Sequence, residues 1–132
     1  MSSRIKAAEA LLRLKAGNLH YVQSNSYTGD VSKVIRSNTA KNGQFPYAIV
    51  IACSDSRVIP EIIFSAGMGE LFTIRVAGNV IDRHQLGSIE YAVSHLKSPL
   101  VVVLGHTHCG AVAATIAGEG DSHIQSITDK IH

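Results

Sequence analysis

The stretch Tyr47-Ala48-Ile49-Val50-Ile51-Ala52-Cys53-Ser54-Asp55-Ser56-Arg57 decides the fold. It begins as an unbroken apolar run rich in β-branched residues, whose length and composition suit a strand buried on both faces. The polar residues that follow then emerge at that strand's carboxyl end, where an open α/β sheet binds its ligands. A second apolar run, Leu100-Val101-Val102-Val103-Leu104, leads in the same way into Gly105-His106-Thr107-His108-Cys109-Gly110. If the two runs are neighbouring parallel strands, Cys53, His106 and Cys109 converge at one edge of the sheet. Two thiolates and an imidazole are a zinc ligand set that leaves a fourth position for water or substrate.

Between the two runs the pattern is helix, strand, helix. Val58 to Phe64 reads as a short helix, because Pro60 followed by Glu61 suits a first turn. Gly67-Met68-Gly69 turns the chain into a second strand, Glu70 to Ala77, and lacks the glycine spacing of a phosphate-binding fingerprint. Asp82 can cap a helix running through Gln85, Leu86, Ile89, Tyr91, Ala92, Val93 and Leu96, which Ser98-Pro99 ends. This order requires parallel pairing with right-handed crossovers. Ala111 to Ala117 should form a helix just past Cys109, with its positive end beside the proposed metal and its stop at Gly118-Glu119-Gly120. Asp121 to His132 can begin a further helix.

Upstream, Ile5, Ala8, Leu12, Ala16 and Leu19 recur at helical spacing, with Ser2 or Ser3 as the cap and Gly17-Asn18 as the stop. Gln23 to Gln44 is polar and reads as loop, with room for a short helix around Val31 to Ser37. The expected architecture is a three-layer α/β domain, a short central parallel β-sheet flanked by helices, with residues 1–132 as a single domain.

Composition narrows the function. At 132 residues the chain can bury one core, and 45% hydrophobic with 17% charged residues is ordinary for a globular domain. A net charge of +2 from scattered basic residues points to neither nucleic acid nor an anionic membrane. No apolar run approaches the roughly 18 residues of a membrane span. Met1 to Lys6 leads into a charged segment rather than the apolar core of a signal peptide, so a cytoplasmic protein is expected. In a reducing compartment the two cysteines favour metal binding or catalysis over a disulfide.

Each candidate ligand also has a purely structural reading: cysteines at strand ends are often buried apolar residues, and His106 can cap a helix. Jointly, two cysteines at strand exits and a histidine three positions before one of them favour chelation. His108 is expected beside the site rather than on the metal. Asp55 and Arg57, two apart, can pair bidentately. An exposed pair of this kind contributes little, roughly 0.5 kcal/mol. Beside a metal, Arg57 would keep Asp55 ionised and oriented, leaving its second oxygen to accept a proton from bound water. Asp55 could instead become the fourth ligand and switch the site off. Zinc with two thiolates is formally neutral and acidifies water less than a tris-histidine site, so the chemistry should run best above neutrality or with help from Asp55.

The Cys53-Ser54-Asp55-Ser56-Arg57-Val58 and Gly105-His106-Thr107-His108-Cys109-Gly110-Ala111-Val112 runs resemble the two signature segments of the β-class carbonic anhydrases, in order and separation. Glu70 to Asn79 and Gly87 to Val93 are similar to that family's intervening segments. The resemblance implies a zinc lyase that interconverts carbon dioxide and bicarbonate through zinc-bound hydroxide. It implies Cys53, His106 and Cys109 as the zinc ligands, Asp55 and Arg57 as the catalytic pair, and the Gly110 N–H as a donor to a substrate oxygen. It also implies a homodimer or higher homo-oligomer with the site and an apolar pocket at a subunit interface. The chain departs from the family in having Ser65-Ala66 before Gly67, where many members place a substrate-orienting glutamine, and in lacking the family's C-terminal portion. Two other readings follow from those departures and from the site: an inactive zinc-binding homologue serving as an interaction module, or a hydrolase of another small linear molecule such as carbon disulfide.

Overall fold

A computed structural model describes residues 5–132. The elements are α1 (Ala7–Gln23), α2 (Lys33–Asn42), β1 (Ala48–Ala52), α3 (Pro60–Ile63), β2 (Leu71–Arg75), α4 (Arg83–Ser94), β3 (Val101–Val103), α5 (Gly110–Ala117) and α6 (Ile124–Ile131). A short 3₁₀ turn, Ala77–Asn79, follows β2. The strands form one parallel sheet in the order β2-β1-β3.

The central strand is buried along its whole length, and its alternating side chains build two cores. Ala48, Val50 and Ala52 pack with Ala10 and Leu14 of α1 and with Ala66 and Leu71, backed by Phe64 and Val102. Ile49 and Ile51 point the other way, joining Ile74 and Ala92 of α4, backed by Ile89 and Leu96. Helices therefore cover both faces, the three layers expected. Each fully buried valine or isoleucine contributes about 1.5–3 kcal/mol, so β1 alone anchors a large share of the fold.

This strand order creates the site. The chain runs from β1 through α3 to β2 on one side, then through α4 to β3 on the other side of β1. Strand order reverses between β1 and β3, and the crevice beyond the carboxyl ends of such a pair is where α/β sheets bind ligands. Cys53 directly follows β1, and the His106–Cys109 turn follows β3.

Local signals explain the element ends. Asp82 and Gln85 form a reciprocal capping box at the start of α4, Pro60 opens α3, and Gly118 closes α5 in the left-handed conformation. Two expectations fail. The first helix runs through Gly17-Asn18 to Gln23 and buries Ala10 and Leu14, while Leu12 and Leu19 are 66% and 56% exposed. Gly17 is a packing position: a Cβ there would lie 1.8 Å from the Phe64 carbonyl oxygen, so its absence lets α1 close onto the end of α3. Ser2 and Ser3, expected as caps, lie outside the described residues, and Lys6 occupies the N-cap without a side-chain bond. Residues 33–42, in a stretch read as loop with room for a short helix around Val31 to Ser37, form α2, which overlaps that helix but runs five residues further and is capped by the Ser32 hydroxyl accepting from the Ile35 N–H.

Candidate metal centre

The structure brings Cys53, His106 and Cys109 together: their ligating atoms all lie within 4.8 Å of one another. The two sulfurs are 4.0 Å apart, and both cysteines are free and buried. The turn between His106 and Cys109 is closed by His108 in the left-handed region, at φ 58°, which lets residues three apart face one point. Histidine tolerates this conformation better than most side chains. Cys109 then serves as the N-cap of α5.

The donor set fits a metal ion on the protein's own hydrogen bonding. His106 Nδ1 is tied to the Thr107 carbonyl at 2.8 Å, which fixes the ring and leaves Nε2 as the free nitrogen. Nε2 is buried and makes no directed hydrogen bond, a costly arrangement unless the atom has a ligand. The Cys53 sulfur accepts the Gly78 N–H at 3.3 Å, a contact suited to a thiolate. Burial pushes the Cys53 thiol up, but His106, the backbone N–H groups of Asp55 and Gly78, and Cys109 together outweigh it and bring the thiol down to about 7. The Cys53 sulfur in turn raises the His106 imidazole against the opposing effect of burial.

Gly78 is needed where it stands. Its φ is 69°, and an added Cβ would come within 2.7 Å of Ile131 Cδ1 and 3.0 Å of the Ala111 Cβ. The turn that donates to the Cys53 sulfur is thus wedged beneath α5 and α6.

Asp55 and Arg57 pair as their spacing suggests. Arg57 Nε donates to Asp55 Oδ1 at 3.0 Å and Nη2 donates to Oδ2 at 2.7 Å, while the Arg57 backbone N–H adds a bond to Oδ1 at 2.9 Å. Arg57 engages both oxygens, so neither is left wholly free, though each keeps acceptor capacity. The Arg57 side chain and backbone hold the Asp55 carboxyl well below the usual carboxylate range. Arg57 Nη2 also donates to the His108 carbonyl at 2.9 Å, joining the loop after β1 to the loop after β3. His108 therefore contributes its backbone, while its exposed ring lies outside the three-ligand group. Gly110 opens α5, where the first N–H groups of a helix have no intrahelical partner. The Ser65 hydroxyl donates to the Gly17 carbonyl at 2.8 Å.

Sequence reasoning missed Arg75. Its guanidinium donates to the carbonyls of Cys53 at 2.8 Å, Asp55 at 2.6 Å and Val58 at 3.0 Å. The available signal was a lone cation ending an otherwise uncharged strand.

Residues 48–132 match the family model described as carbonic anhydrase. Carbonic anhydrase 2 of Mycobacterium tuberculosis is 49% identical over 108 residues, covering 82% of this chain and 52% of that protein. The β-carbonic anhydrase CafA of Aspergillus fumigatus superposes with a TM-score of 0.68 at 32% identity, over 92% of this chain and 56% of the other. A structure described as one of two tetrameric β-carbonic anhydrases from Sordaria macrospora gives a TM-score of 0.61 at 28% identity, over 92% and 57% of the two chains. The fold, the Cys-His-Cys group and these similarities define a β-class carbonic anhydrase architecture, and the chain belongs to the β-carbonic anhydrase family. It spans about half the length of the curated relatives it matches, 54% of one and 52% of another.

Proposed function

We propose that this chain catalyses the reversible hydration of carbon dioxide to bicarbonate, with one zinc ion held by Cys53 Sγ, His106 Nε2 and Cys109 Sγ. The observation that carries the reading is the meeting of those three donors beside an ionised Asp55 that Arg57 has already engaged. When bound, zinc would supply Lewis-acid activation of water.

The chain's own residues do the rest. Asp55 is too weakly basic to keep a proton, so it acts as a hydrogen-bond acceptor that orients the reacting water next to the ligands. Arg57 fixes that acceptor and, through the His108 carbonyl, holds it at a constant distance from the Cys109 loop. Arg57 engages both Asp55 oxygens and Asp55 is not among the three clustered donors, which supports a fourth position taken by water rather than by Asp55. The Gly110 N–H, at the positive end of α5, is offered to a substrate oxygen.

The same reading extends to assembly and location. Leu12, Leu19 and Val22 on α1 and Val103 on β3 are between 56% and 70% exposed, a burden of apolar surface suited to a homo-oligomer. The Sordaria macrospora neighbours are described as tetrameric. Among the described residues no helix is long and apolar enough to cross a membrane. Two reduced cysteine ligands suit the cytoplasm.

Stopped-flow hydration of carbon dioxide by the zinc-loaded chain tests the proposal. Turnover that rises above neutral pH and disappears with the metal is the expected result. One bound zinc without turnover between pH 7 and pH 9 would support the inert module instead.

A further inference from the structure

We propose that Arg75 is a positioning residue for the metal centre: its guanidinium gathers the carbonyls of Cys53, Asp55 and Val58 and so sets the loop that carries the first ligand and the acidic partner. Its activity consequence rests on the function proposed above, and its structural consequence does not.

The loop needs such a group. After β1 the chain must turn sharply, and the Val58 N–H closes the turn onto the Asp55 carbonyl at 3.1 Å. The carbonyls of Cys53, Asp55 and Val58, the second already accepting from the Val58 N–H, are brought to one region, an arrangement that repels unless a cation with several donors fills it. Arginine offers five N–H donors in a rigid planar fork, whereas lysine offers a point charge. Arg75 uses one edge of the fork here: Nε serves Cys53, and Nη2 serves Asp55 and Val58.

A role in joining the strands does not account for these contacts. Arg75 lies opposite Ala52 in the β1–β2 register, but the Ala52 carbonyl is already satisfied by the Val76 N–H at 3.2 Å. The three carbonyls that Arg75 takes belong to the loop beyond the ladder. Nor does it serve as half of an ion pair, since among the described residues the salt bridges are Arg13–Glu70 and Arg57–Asp55. Three residues further on, the Gly78 N–H holds the Cys53 sulfur. The exit of β2 therefore grips Cys53 at both its carbonyl and its sulfur, and acts as the template on which the ligand is presented.

The test compares Arg75→Gln and Arg75→Lys with the wild-type full chain, each loaded with zinc or with cobalt(II). It reads metal affinity, the cobalt absorption spectrum, kcat and KM, and urea unfolding. Disturbing groups that orient metal ligands commonly costs roughly 10- to 100-fold in affinity or activity. The glutamine variant should lose that much metal affinity or kcat, with KM little changed and a shifted cobalt spectrum. The lysine variant should fall between it and wild type. A wild-type cobalt spectrum and wild-type affinity in Arg75→Gln would overturn the proposal. If that variant does not fold, the same result in Arg75→Lys overturns it. A wild-type chain that binds metal without hydrating carbon dioxide would sink the proposed function alone, because spectrum and affinity still decide the part played by Arg75. A wild-type chain that takes up neither metal overturns both.

Discussion

Arg57 closes on Asp55 through two side-chain bonds, 3.0 Å to one carboxylate oxygen and 2.7 Å to the other, and then reaches the His108 carbonyl. The pair thus orients the acid and clasps the two ligand-bearing loops. Asp55→Asn removes the charge and breaks this geometry while leaving all three donors in place. It should keep one zinc per chain and lose about 100-fold in turnover, the scale expected when a reacting group is misplaced by an ångström or so. Metal analysis and stopped-flow rates on one preparation check this, and equal loss of zinc and turnover would contradict the division of roles.

The depressed Asp55 carboxyl fixes a pH dependence. Because its folded pKa lies below the unfolded carboxylate value of about 3.9, its contribution to stability is fully present above that value and is lost as pH falls through the folded pKa. Asp55 should show no titration between pH 5 and pH 9 when its side-chain carboxyl carbon is followed by NMR. A midpoint inside that window would mean that Arg57 does not hold it in solution.

Cys53 should be the more unusual thiol of the metal-free protein. With its pKa brought down to about 7, its alkylation by iodoacetamide should be half-maximal near that pH and slow as pH falls. An ordinary thiol would place the midpoint near about 8.5. Peptide mapping across a pH series reads this directly, and bound metal should abolish the reaction.

Gly17→Ala tests the packing of α1 on α3. In an open helix, alanine is favoured over glycine by about 1 kcal/mol. Here its Cβ would lie 1.8 Å from the Phe64 carbonyl oxygen, a backbone atom that cannot swing aside. Overpacking of this kind typically costs about 1–3 kcal/mol, and against a backbone atom the upper end applies, so it should win with a net loss of up to about 2 kcal/mol in urea unfolding. A more stable variant would place α1 elsewhere.

What could be read from the sequence, and what could not, follows from where each signal lives. β1 declares itself because both of its faces are buried, and the polar residues that end it and β3 coincide with the crevice formed by the strand order. The first helix misleads because it is apolar on more than one face: Ala8, Leu12 and Leu19 make as regular a stripe as Ala10 and Leu14, yet only the latter meet the sheet. Gly17 reads as a stop because a close approach to Phe64, distant in sequence, has no local signature. Helix α2 buries no residue and so carries no apolar rhythm to reveal it; its Ser32 cap was the one local sign. Arg75 escaped because the carbonyls it gathers lie 17 to 22 residues upstream.

The central claim is that two sulfurs and one imidazole nitrogen hold a single zinc ion. X-ray absorption at the zinc edge of the loaded chain measures this coordination directly. The expected first shell has two sulfurs at about 2.3 Å and nitrogen or oxygen donors at about 2.0–2.1 Å, with one sulfur lost in Cys53→Ala. A zinc shell without sulfur, or one unchanged in that variant, would contradict the assignment of the site.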